Sequence, residues 1–542
     1  MPQKKIIWKY IELFVFFLLI IINLIPVYSC KFFPSLDGAS HLYNSNLINQ
    51  LIFSDNELVH SFFRINNKLV PNWTGHFILS LFNSFLPAYI AEKILLSIYI
   101  IGLPVAFRSL TIRISSPSNY LYFLIFPFIY SFIFFLGFYN LCIGMMLLFF
   151  IMSYWLKVEG NLNPKSALIL FILITLLYFT HPFIFGIFAF IFTLIFIQLF
   201  IRDMINGSSR KKITGSYMKK TLLVIFAFSV SMGLFIVYYL SIPSATLNQF
   251  IERYELIQWI KIIRPIISLH IQIEGAYTAK LFYLIGALII IAVFIRIENF
   301  RIKVDKWNFS SFYYHFLDKN DIWLLLSMIF LIIYFVSPNA TGYVGHLSAR
   351  IGLIFFLFLI IWISSQKFPQ WLNIFAIIFI LFINFSLNRF YVRETKELNE
   401  TVLEYDKASS YVKKNSIVLP VNYSQHWLHL HFSNYLAVDK PLIILNNYEA
   451  DMEYFPVTWN KQNLPQVQFG NEPLINTCLQ WRYSNQTEIK KIDYVLIGGD
   501  VTNKQDNCLN EINNILQNNY QLIYSSTKIP LNLYELNYND KN

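Results

Sequence analysis

Charge is scarce in this chain. Asp, Glu, Lys and Arg together make up 13% of the 542 residues and apolar residues 56%, a balance that leaves too few polar side chains to cover a soluble fold of this size. Lipid is therefore expected as the main solvent. Glycine and alanine are few beside 54 Phe and 34 Tyr, a composition shaped partly by base usage, so a single Phe, Asn or Lys carries little weight. There is no internal repeat, no long low-complexity tract and no glycine-rich nucleotide-binding loop. The formal charge of +11 is spread over short clusters of Lys and Arg between apolar runs rather than along one stripe. That pattern excludes nucleic acid as the expected partner and fits the positive-inside signals of a membrane protein.

What is present is a series of apolar runs, each near the length needed to cross hydrocarbon. They cover 11–27, 88–107, 120–136, 138–156, 166–180, 183–201, 222–240, 281–297, 322–336, 351–364 and 371–387. The expected fold is thus a mainly α polytopic membrane protein with about eleven transmembrane helices. The first run follows Lys4, Lys5 and Lys9, and Val27-Tyr28-Ser29-Cys30 is a poor cleavage site, so the run is expected to stay as an anchor with its N-terminus inside. Six basic residues between Arg202 and Lys220 give the strongest inside signal. Counting outward from that loop places the tail outside only if 73–86 does not cross, so that stretch is expected to lie in the outer interface. All His residues except His315 then fall on the outer side, and any chemistry is expected there.

Two domains are expected: a transmembrane domain over 1–387, with its first outer loop at 30–72, and an extracytoplasmic domain over 388–542. In the tail, strand-like runs at 416–419, 441–445, 493–497, 521–524 and 531–534 alternate with a helical pattern at 509–518, which predicts a small soluble α/β domain. Of the four cysteines, Cys478 and Cys508 both lie in the tail, and an oxidising outer face predicts a disulfide between them.

The first outer loop opens with Phe33-Pro34-Ser35-Leu36-Asp37-Gly38-Ala39-Ser40-His41. Asp37 lies just beyond the first span, with His41 one helical turn later, and the two have the equipment for general-base work on a hydroxyl. The other reading is that Asp37 only caps the following helix, a contribution of about 1 kcal/mol. Arg350, in Gly345-His346-Leu347-Ser348-Ala349-Arg350, stands at the outer mouth of a span, where its guanidinium either holds phosphate oxygens or anchors the helix at the interface. His181 reads either as an interfacial histidine or as a site residue. The segment from Phe250 to Lys261 reads as an amphipathic helix on the outer surface. His426, His429 and His431 share no Cys or carboxylate at ligand spacing, so no metal is expected from them.

One span, a long outer loop with an acidic residue at its start, many further spans and a soluble C-terminal domain together resemble the GT-C type of membrane glycosyltransferase. Local patterns extend the resemblance: Asp37 with His41, the turn Gly137-Phe138-Tyr139-Asn140, and Tyr178-Phe179-Thr180-His181-Pro182. The resemblance implies transfer of a sugar from a polyprenyl-phosphate donor to a hydroxyl on a lipid, glycan or protein acceptor, at the outer face of a bacterial inner or plasma membrane, without a cofactor. It implies Asp37 and His41 as catalytic residues and Arg350, His346, Asn140 and His181 as substrate-binding residues. The chain departs from the family in having Gly38 where many members pair a second acid with the first, and Asn140 where a second carboxylate would stand. A transporter or channel for lipid-linked glycans predicts charges at mid-membrane depth, and apart from Glu92 and Lys93, a charged pair expected near the outer end of one span, these spans carry almost none. An O-antigen ligase or polymerase predicts its long outer loop late in the chain, and an oligosaccharyltransferase predicts a Trp-Trp-Asp motif that the tail does not contain.

Overall fold

The structure, a computed structural model, describes residues 2–115, 119–206, 210–241, 247–303, 318–342, 344–464, 467–468, 480–481, 492–500 and 507–537. Its packing divides into two units, Met1–Ile25 with Ser97–Phe135 and Leu141–Tyr391, and Pro26–Leu96 with Leu136–Asn140 and Val392–Asn542.

Among the described residues, eight helices are long and apolar enough to cross a membrane: Tyr10–Tyr28, Ala88–Ile114, Tyr139–Asn161, Pro182–Ile205, Lys211–Ser241, Ile271–Ile302, Leu347–Ser365 and Gln370–Ser409. Even the shortest, at 19 residues, reaches about 28 Å at 1.5 Å per residue, close to the hydrocarbon thickness. The chain is a helical, multi-pass membrane protein. The other three expected runs fall on the shorter helices Leu121–Phe135, Pro164–Thr180 and Asp321–Val336, so eight crossings follow from length and composition where about eleven were expected. The first of these is not one continuous α-helix. Leu121–Phe128 winds as a 3₁₀ helix containing Pro127, and a short α-helix follows at Phe132–Phe135, because a proline inside a helix removes a donor and clashes with the preceding turn.

In the first unit, Leu347–Ser365 is the central element: every residue from Ser348 to Ser364 is buried, as befits a helix that is apolar all round. Phe358 stacks on Trp323 and Phe330. Lys211–Ser241 is the opposite case, with Leu222, Ile225, Val237 and Leu240 exposed, the side chains a lipid-facing helix needs. Two ion pairs lie among these helices. Arg108 Nε donates to Glu12 at 2.9 Å, and Arg296 Nη1 lies 2.7 Å from Asp321, which also accepts from Trp362 Nε1 at 2.9 Å. Isolated ions in an apolar surround would be costly.

The second unit holds a five-stranded sheet of β1 (Ile417–Asn422), β2 (Ile443–Ile444), β3 (Tyr494–Gly498), β4 (Tyr520–Ser525) and β5 (Leu531–Leu536), in the order β4-β5-β3-β1-β2. β1 pairs in parallel with β2 and β3, while β5 runs antiparallel to β3 and β4. The five strands coincide with the five strand-like runs of the sequence, and a helix at Asn507–Asn519 covers the expected helical pattern. Cys478 and the side chain of Cys508, the expected disulfide, lie outside the described residues.

This unit also contains the first loop, as helices α1 (Gly38–Phe53) and α2 (Trp73–Asn83). The packing therefore draws a different line from the change of composition at 388, because α1 is fastened to the tail through polar groups. Tyr43 Oη donates to Leu442 O at 2.8 Å, Asn46 Nδ2 to Ala437 O and Lys440 O at 2.8 Å each, and Asn434 Nδ2 to Ser40 Oγ at 2.8 Å. Strand Phe63–Ile65 adds an antiparallel pair with Val457–Trp459, where Phe63 stacks on Trp459. α2 has 11 residues, about 16 Å of helix and too short to cross hydrocarbon.

Candidate functional site

The turn at Gly137 organises the second unit. Gly137 has φ +77°, and a Cβ there would sit 2.8 Å from the backbone nitrogen of Asp37 and 3.0 Å from that of Gly38. Only glycine fits both the left-handed backbone and the close approach. Asp37 N donates to Leu136 O at 3.2 Å, and His41 Nε2 lies 2.8 Å from Gly137 O. The start of α1 is thus held by the backbone of the turn.

Asp37 occupies the N-cap position of α1, with φ −94° and ψ −6°, and its side chain makes no capping hydrogen bond. Helix capping therefore does not account for this residue. The carboxyl group is buried, 3.8 Å from His431 Nε2, and it interacts with the Tyr448 hydroxyl. His431 stacks on Tyr448 with centroids 4.5 Å apart.

One turn along α1, His41 meets two residues that the sequence gave no reason to join to it. Its Nδ1 lies 2.7 Å from Glu449 Oε1 and 3.4 Å from His76 Nε2, and His76 Nε2 lies 2.8 Å from Glu449 Oε2. Burial works against a charge on His41, but the Glu449 carboxylate outweighs it and raises the imidazole's pKa. Burial likewise disfavours ionised Glu449, and the two imidazoles outweigh it and hold the carboxyl low. Asn44 Nδ2 donates to Glu449 Oε2 at 2.9 Å and pairs with Asn447 through both amides. Phe455 lies against both imidazole rings. His41, His76 and Glu449 are the group of described residues that could hold a metal ion; the sequence had given no such set.

Glu92, expected to form a charged pair with Lys93 at the end of a span, is fully buried. It accepts from Phe33 N at 3.0 Å and from Tyr139 Oη at 3.3 Å, while Lys93 Nζ stands over the rings of Tyr28 and Tyr89.

The site residues expected from sequence divide between the units. Asp37, His41 and Asn140 belong to the second. Asn140 positions α2: its Oδ1 accepts from Gly75 N at 2.7 Å, and its Nδ2 donates to Asn72 O at 3.0 Å. Asn72 O also meets His76 Nδ1 at 3.1 Å. Arg350, His346 and His181 belong to the first unit. There His346 adopts a left-handed backbone at the start of Leu347–Ser365 and packs edge-on against Phe132. Arg350 lies over the Phe183 ring with centroid distance 5.9 Å, near enough to both His346 and His181 for its charge to act on them. The expected amphipathic helix is present as Arg253–Lys261, and Arg264 just beyond it stands over Trp259 and Phe132.

The tail histidines do not lie on a strand. Trp427–Ala437 is a 3₁₀ helix in which His429 stacks on His426, while His431 stacks on Tyr448.

Compared with known families and curated proteins, the sequence matches no family model and no curated protein.

Proposed function

We propose that this chain is a membrane glycosyltransferase of the GT-C type, moving a sugar from a polyprenyl-phosphate donor to an acceptor hydroxyl on the outer face of the membrane. The observation that carries this reading is Asp37. It is a buried carboxylate just after the first apolar helix, at a helix start that its side chain does not cap, beside His431, Tyr448 and the Gly137 turn. A carboxylate held there without a capping role suits a base that accepts a proton from a bound hydroxyl.

In the proposed reaction the acceptor oxygen attacks the anomeric carbon as its proton passes to Asp37. The bond between that carbon and the phosphate oxygen breaks, and polyprenyl phosphate leaves with the electron pair. Its stability as an anion means that the protein supplies mainly positioning and positive charge. His41, tied to Gly137 O and Glu449, orients the start of α1 behind Asp37. Arg350, beside His346 and His181, is assigned to the phosphate because a guanidinium can grip two of its oxygens. Asn140 acts by positioning α2. This reading counts the three shorter apolar helices as crossings beside the eight long ones, and from an inside N-terminus an odd total of eleven would put the tail on the outer side, where such donors are used.

The test is to incubate purified protein with a panel of polyprenyl-phosphate sugars and measure released polyprenyl phosphate. Release that depends on both an acceptor and intact Asp37 supports the reading, and no release with any donor counts against it.

A further inference from the structure

His41 and His76 stand on different helices, and Glu449 belongs to the tail, yet ligand atoms of these three buried residues lie within 4.8 Å of one another. The hydrogens decide what they can bind. A backbone carbonyl only accepts, so His41 Nε2 carries a hydrogen toward Gly137 O, and His76 Nδ1 carries one toward Asn72 O. Each neutral ring then presents its lone pair on the other nitrogen. Those two nitrogens are 3.4 Å apart, with the ring planes at 90°.

Glu449 brings one oxygen to each nitrogen, at 2.7 and 2.8 Å. Three electron-pair donors thus converge where the side chains of His41, His76 and Glu449 are 7%, 1% and 1% exposed. Positive charge has to hold them together. Protons can do so on His41 or on the Glu449 carboxyl, which leaves ionised groups buried in a closed site. A single divalent ion satisfies all three groups with both rings neutral.

We propose that His41, His76 and Glu449 bind one divalent transition-metal cation of the zinc class, a site that stands independently of the transfer reaction proposed above. Two imidazoles and a carboxylate suit zinc and its first-row neighbours, whereas magnesium and calcium favour all-oxygen surroundings. Tetrahedral bonds of about 2.0–2.2 Å separate ligand atoms by about 3.4 Å, which is the spacing of the two ring nitrogens, so binding requires only that Glu449 draw back. Each imidazole already donates its remote N–H to a carbonyl, and Asn44 already steadies Glu449. Such outer partners fix the tautomer and orientation of metal ligands. Three protein ligands leave a fourth position for water or another small ligand.

The test uses the full-length protein in detergent, stripped with a chelator, titrated with Zn²⁺ and passed through gel filtration. About one equivalent of zinc should be retained per chain, with a rise in Tm, and Co²⁺ in its place should give the visible absorption of a tetrahedral ion. Asn44→Ala should weaken binding by about 10–100-fold, and His76→Gln should abolish retention. Because His76→Gln also removes a buried contact, the wild-type Co²⁺ spectrum and Asn44→Ala read the site without relying on it. Wild-type protein that retains under about 0.1 equivalent, a Co²⁺ sample without those bands, or full retention by folded His76→Gln would overturn the proposal. Absence of sugar transfer with any donor would count against the preceding reading and leave this one standing.

Discussion

Replacing Gly137 by alanine should destabilise the second unit where α1 begins. The residue's φ of +77° alone costs an L-residue about 1–2 kcal/mol. The added Cβ also meets two backbone nitrogens, those of Asp37 and Gly38, at 2.8 and 3.0 Å. Neither can rotate away as a side chain would, so the turn or the start of α1 has to shift, for a further 1–3 kcal/mol or so. The sum, about 2–5 kcal/mol, corresponds to a fall in Tm of about 5–15 °C for a unit of this size. A thiol-reactive dye on a variant whose one cysteine is Cys30, buried in this unit, gives the assay in detergent. Gly160→Ala is the control, because nothing lies within 4 Å of a Cβ at that position, and it should leave Tm within about 1 °C. A Gly137→Ala protein that melts with the wild type would refute the close approach between the turn and α1.

Acid should loosen the tail through His429. Burial, with a smaller contribution from His426, lowers the His429 pKa from 6.5 to about 4, so the folded state holds the neutral ring while the unfolded chain takes up a proton. Stability is then full above pH 6.5 and falls as pH drops from there toward 4, by about 3 kcal/mol at most; His429→Gln should flatten that part of the profile. A reporter fused after Asn388 should read as extracytoplasmic and one beside Lys211 as cytoplasmic, and finding both on one side would break the topology. Arg350→Lys, which exchanges a two-pronged grip for a point charge, should raise KM for the polyprenyl-phosphate donor more than for the acceptor, and equal effects on both would remove Arg350 from the phosphate.

Local pattern made much of this fold legible. Apolar runs of spanning length mark the long helices, and short apolar runs rich in β-branched and aromatic residues, such as Asp493–Ile497, mark the strands, because both are set by side chains close in sequence. Pro127 turns an apolar run that reads as one helix into a 3₁₀ segment. The polar, buried face of α1 was hidden because Ser40, Asn44 and Asn46 read as solvent-facing residues, whereas their partners lie in the tail. For the site, Asp37, His41 and the Gly137 turn could be singled out one by one, but not their meeting. His76 stood in a segment read only for whether it crossed the membrane, and Glu449 in a tail stretch with no motif. Glu449 lies 373 residues from its partner His76, a separation that carries no spacing signal.

The most direct test is the turnover of Asp37→Asn with a polyprenyl-phosphate sugar donor. The amide keeps the shape of the carboxylate and caps helices about as well, but it cannot take the acceptor's proton. If Asp37 is the base, released polyprenyl phosphate should fall by about 10²–10⁴-fold while expression, membrane insertion and donor binding stay near wild type. Wild-type turnover in a folded Asp37→Asn protein would contradict the account.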